Sequence, residues 1–139
     1  MKIKTVILSM GLFLLLSGFN KQNDCLKFRN GTFKIIDPAT KKVCIITRKD
    51  DIQTERMEDS AETYDFKIKW VDDCTYTVEP TATTIERNRE VLKVGLMTVT
   101  IVKTTDSSYT QKIQVEKNPD FQRFDNVFIV KKKERKTMD

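Results

Sequence analysis

The segment from Tyr64 to Val78 constrains this chain more than any other. Tyr64, Phe66, Ile68 and Trp70 alternate with Asp65, Lys67 and Lys69, the two-residue period of a strand with one face buried and the other in water. Asp72-Asp73 marks a turn, and Cys74, Tyr76 and Val78 then resume the alternation. A hairpin of this kind cannot hide its aromatic face alone, so other strands must pair beside it. The rest of the chain supplies them. Residues 31–37 alternate and stop at Asp37-Pro38, while 42–48 and 53–58 flank an Asp50-Asp51 turn. Residues 91–103 read as one long β-rich segment with Gly95 as a bulge. Residues 109–117 follow, with Asn118-Pro119-Asp120 as the turn before a short last strand at 127–130. Residues 80–90 are the least strand-like, a loop or single helical turn capped by Thr83 or Thr84. The count is about eight strands, which predicts an all-β antiparallel meander forming a barrel or partial barrel, with a two-sheet sandwich as the alternative.

The first 20 residues stand apart from this pattern. Lys2 and Lys4 precede an apolar run from Val6 to Leu16 and then Ser17-Gly18, the charged, apolar and small-residue order of an export signal. The run is shorter than the roughly 20 residues of a membrane helix, so export is expected, with an uncleaved N-terminal anchor as the lesser reading. A single domain over residues 21–133 and a charged tail over 134–139 complete the organisation. Loss of Lys2 and Lys4 with the signal lowers the net charge from +5 to +3. The remaining charge is scattered over strand faces, which argues against nucleic acid as a partner.

Three cysteines in an exported chain imply one bridge and one leftover thiol. Cys25 and Cys74 lie at element boundaries, where a bridge can adapt its geometry, and are the expected pair. Cys44 sits within Val43-Cys44-Ile45-Ile46, the context of a small core residue. There is no histidine, which excludes Ser-His-Asp and Cys-His nucleophile systems and the common zinc sites. Four glycines form no phosphate loop and no EF-hand pattern occurs, so no cofactor or metal is expected.

The Asp50-Asp51 turn would set Arg48 opposite Gln53 and Ile46 opposite Glu55. Cys44, Ile46, Arg48, Gln53, Glu55 and Met57 then share a face. The polar three could grip a ligand head inside a barrel, Arg48 as donor fork, or form a cross-strand ion pair on a partly covered face. Trp70 and Tyr76, with Tyr64, Phe66 and Ile68, read as core first and as the wall of an apolar pocket second. Phe33, Ile35, Val94, Leu96, Ile113, Val115 and Ile129 supply further core.

Three spaced patterns occur together: Asp24-Cys25-x-x-Phe28-Arg29-x-Gly31-x-Phe33, Ile46-Thr47-Arg48-x-x-x-x-Gln53-x-Glu55, and Lys69-Trp70-x-x-x-Cys74-x-Tyr76. The set, covering mainly residues 24–79, resembles a family of small exported proteins of flavobacterial type and unknown function. Some of them carry a topoisomerase IV label, although a topoisomerase subunit is several times longer and cytoplasmic. The resemblance implies compartment and fold, and no catalytic residue. Gly31-Thr32-Phe33 also resembles the Gly-x-aromatic opening of lipocalin-type barrels. The expected function is a non-enzymatic exported domain with an interaction or structural role in the cell envelope. A lipocalin-like carrier of a small apolar or amphipathic ligand is the alternative, and a carboxylate-based hydrolase a distant third.

Overall fold

The computed structural model describes residues 24–132. The expected signal (1–20) and charged tail (134–139) lie outside them. Eight strands follow in order: β1 (Gly31–Ile36), β2 (Val43–Lys49), β3 (Ile52–Met57), β4 (Tyr64–Trp70), β5 (Thr75–Pro80), β6 (Met97–Thr104), β7 (Ser108–Val115) and β8 (Asn118–Ile129). Each pairs antiparallel with the next and β8 returns to β1, giving a closed barrel. Closure leaves no continuous free edge, the solution open to a meander whose strands each bury one face. The registers bring Arg48 opposite Gln53, Ile46 opposite Glu55 and Cys44 opposite Met57, with Asp50 at φ 57° in the connecting turn. The closing seam is the weak one. Only Phe33–Ile129 and Lys34–Phe128 pair across it.

The two ends of the barrel differ. At one end a 3-10 turn, Leu26–Phe28, lies across the opening and inserts Phe28, which is fully buried. Its preceding residue Cys25 is bonded to Cys74, 49 residues later, in the β4–β5 turn. Phe28 meets Tyr109 and Phe33 at ring separations of 4.8 and 6.3 Å. The other end carries the β1–β2 and β3–β4 loops, the β7–β8 turn and the long β5–β6 excursion. That excursion holds α1 (Ala82–Arg87) and a second 3-10 turn, Arg89–Lys93.

Several local expectations are corrected here. Thr81, not Thr83 or Thr84, caps α1 by accepting the Thr84 N–H; Thr84 is instead buried, its hydroxyl bonded to both Asp65 N and Asp65 O at the free end of β4. Residues 91–103 are not one strand. Gly95 adopts φ 71° in a turn, where a Cβ would meet Glu116 Oε2 at 2.9 Å, and the bulge falls between Ile101 and Lys103. Val94, expected in the core, is exposed on that excursion. Finally, Asn118-Pro119-Asp120 opens the twelve-residue β8 rather than forming a turn, since Glu116-Lys117 makes the turn and the β7 register slips after Ile113.

Candidate functional site

Inward-facing residues fall into two apolar clusters. One joins Cys25, Phe28, Phe33, Ile46, Ile101, Tyr109 and Val127; the other joins Ile68, Tyr76, Val78 and Val99. Buried polar side chains, Arg48, Gln53 and Gln111, point into the same interior. Arg48 is the hub. Its Nε donates to Gln53 Oε1 at 2.8 Å, Nη1 to the Phe28 carbonyl at 2.9 Å, and Nη2 to the hydroxyls of Tyr76 (2.8 Å) and Tyr109. The guanidinium also lies 4.8 Å from the Phe33 ring and 4.9 Å from that of Tyr76. A planar five-donor fork is the one side chain that can tie a plug backbone, a strand amide and two phenols together. Burial drives the Tyr76 hydroxyl far above its ordinary pKa, so it stays a neutral partner.

The network continues toward the other end. Gln53 Nε2 donates to Glu55 Oε1 at 2.9 Å. Burial pushes the Glu55 carboxyl up, outweighing the Gln53 hydrogen bond and the Arg48 charge that pull it down. Gln111 reaches Asp125 at 3.4 Å, and Asp125 also holds Arg123 at 2.9 Å. Arg48, Gln53 and Glu55 share a face in the register expected from the sequence, and Tyr76, read with Trp70 as core or pocket wall, joins them through its hydrogen bond with Arg48. Trp70 is adjacent but outside the hydrogen-bonded set: its ring lies 4.6 Å from that of Tyr76, tilted by 45°, with Arg29 over it at 4.7 Å. Tyr109, Gln111, Asp125 and the Phe28 carbonyl were missed. For Gln111 the signal was present, a glutamine inside the alternation Tyr109-x-Gln111-x-Ile113-x-Val115, as for Gln53.

Burial changes along the barrel axis. Inward residues of the Arg48 layer are buried, whereas Ile35, Cys44, Glu55, Met57, Phe66, Met97 and Ile113, toward the other end, keep solvent-reachable surface; at the plug end Trp70 and Ile129 are also partly exposed, and Val115, at the other end, is buried. The Cys25–Phe28 plug covers one end of the interior; at the other end a partly exposed inner wall, the cup, lies above the polar layer. Cys44 belongs to the wall as a free thiol, its pKa pushed up to about 11 by burial and by Glu55. Cavities of about 440 and 400 Å³ lie outside the cup. The first is lined by Ile85, Val91, Leu92 and Leu96 with Glu79 and Glu116; Glu116 is spent on the Leu96 N–H at 3.0 Å. The second fills the unpaired part of the β1–β8 seam, between Ile36, Asp37, Arg123 and Phe124. Neither is lined by Trp70. Among the described residues no group of three or more histidine, cysteine, aspartate or glutamate side chains gathers to hold a metal, and no helix is long and apolar enough to cross a membrane.

The chain matches no protein-family model, and no curated protein or solved structure is detectably similar to it.

Proposed function

We propose that the protein is an exported, non-enzymatic binding barrel that carries a small amphipathic ligand in the open half of its interior. The observation behind this is a partly exposed inner wall at the end away from the plug, where Ile35, Cys44, Met57, Phe66, Met97 and Ile113 surround the inward carboxyl of Glu55. Apolar walls with a few convergent polar groups are the ordinary make-up of small-molecule sites. Residues near Trp70 play no part in holding the ligand; they close the cup. Export is supported by the signal-like first 20 residues, by the Cys25–Cys74 bond, which persists in oxidising compartments, and by the resemblance to small exported proteins.

Native mass spectrometry of the protein isolated from its own periplasm or medium tests this reading. We expect a chain lacking its first residues, lighter by the two hydrogens of the disulfide, with a bound small molecule that leaves on collisional activation. An empty barrel held to another protein would favour the second reading, an envelope interaction module. Phe121, Phe124 and Phe128, exposed along β8, support that second reading.

A further inference from the structure

Among Arg48, Gln53, Glu55 and Gln111, the atoms left without partners are of one kind. All three nitrogens of the Arg48 guanidinium donate, and Gln53 uses both ends of its amide. What remains are acceptors. Glu55 receives one hydrogen bond, on Oε1, and Gln111 only gives one. Among the described residues Arg29 Nε is the sole buried side-chain polar atom lacking a partner, so the second Glu55 oxygen and the Gln111 oxygen are reached by solvent. Glu55 points into the cup, because it pairs with Ile46, a core residue, and with Tyr64 on its other side. Around it stand Ile35, Met57, Phe66, Met97 and Ile113, all half-buried.

We propose that the cup selects an amphipathic cation, a protonated amine on an aliphatic chain, whose N–H donors engage Glu55 and whose chain lies along Met57, Phe66, Met97 and Ile113. This rests on the reading of the open half as a ligand site. An N⁺–H to carboxylate bond is about twice as strong as a neutral one, and a carboxylate removed from water gains most from a cation that enters with an apolar tail. An anionic head would meet the Glu55 charge, find the Arg48 nitrogens already engaged, and find Arg123 paired with Asp125. The Arg48 charge opposes a cation, but it lies behind Gln53 and against the faces of Phe33, Tyr76 and Tyr109. The other titratable or charged groups of the interior are the Cys44 thiol, which the Glu55 charge helps keep protonated, the hydroxyl of Tyr76, neutral by burial, and on β8 Asp125 with Arg123, paired at 2.9 Å. Tyr64, opposite on β4, is tied to Glu62 at the rim.

The test uses three probes of one chain length, decylammonium, decanol and decanoate, titrated calorimetrically into the disulfide-intact protein below their micelle concentrations at about pH 7.5. Decylammonium is expected to bind at least about tenfold tighter than decanol, and decanoate weakest. Glu55→Gln should abolish the preference for the amine while decanol still binds, which also shows that the variant is folded. If the variant does not fold, the native protein decides: lowering pH toward the carboxylate range should weaken decylammonium and leave decanol unchanged. A preference for decanoate, or an amine preference that survives Glu55→Gln, overturns the headgroup assignment and leaves the cup intact. Failure of all three probes to bind overturns both.

Discussion

Arg48 is 2% exposed, and its charge is tolerable there because four oxygens from four parts of the chain accept from it. Removing such a hub leaves buried acceptors unmet, which costs more than the hub itself contributes. Arg48→Lys keeps the charge but cannot span the same acceptors, and is expected to lower unfolding free energy by about 3 kcal/mol in urea titrations. Glu55 gives a pH signature of opposite sense to an ordinary paired carboxylate. Its folded pKa lies above the usual 4.5, so its favourable contribution is complete below that value and is lost as pH rises through the folded one. Glu55→Gln should therefore gain stability relative to the native protein as pH is raised from 4.5 toward neutrality, measured by urea midpoints at each pH. Cys44, with a pKa raised from 9.0 to about 11, should be alkylated by iodoacetamide roughly 100-fold more slowly than an ordinary thiol at neutral pH. The Arg48–Gln53–Glu55 set was legible in sequence because one short turn fixes its register. Tyr109 was not, since its contact with Arg48 exists only after the chain has closed on itself, 61 residues later.

The plug is the element on which the sealed end depends. Three residues of 3-10 helix have no stability of their own, and Leu26–Phe28 is held by the Cys25–Cys74 bond, by Phe28 packing and by Arg48 on the Phe28 carbonyl. Loop-closure entropy for a 49-residue separation amounts to roughly 4 kcal/mol. Reduction is expected to lower stability by up to about that amount, and hydrogen exchange should rise at Phe28 and Arg29 before it rises in β1 to β4. Uniform protection across plug and strands after reduction would contradict this. Strands β1 to β5 were readable because polar and apolar residues alternate between clear turn pairs. The second half was harder for a physical reason. Val91, Leu92, Val94 and Leu96 look like a strand, yet Gly95 at positive φ and the crossing from β5 to β6 place them on the rim, where tertiary position overrides β propensity. In β8, residues 118–124 are exposed on both faces, so no burial pattern marks them as a strand.

At the scale of the molecule, the barrel is rolled from local hairpins and closed by one long-range seam of two residue pairs. The hairpins set the inward alternation, and closure decides which inward residues are sealed. That axial difference underlies both the carrier reading and the assignment of Glu55 as its head-group acceptor. Substituted-cysteine accessibility measures it most directly. In a Cys44→Ser background with Cys25–Cys74 intact, Met97→Cys and Ile113→Cys report the open half, and Val99→Cys and Val127→Cys the sealed half. The open-half positions are expected to react with a small neutral methanethiosulfonate at least about tenfold faster than the sealed ones in the folded protein. Equal protection at all four positions would contradict a barrel sealed at one end and open at the other.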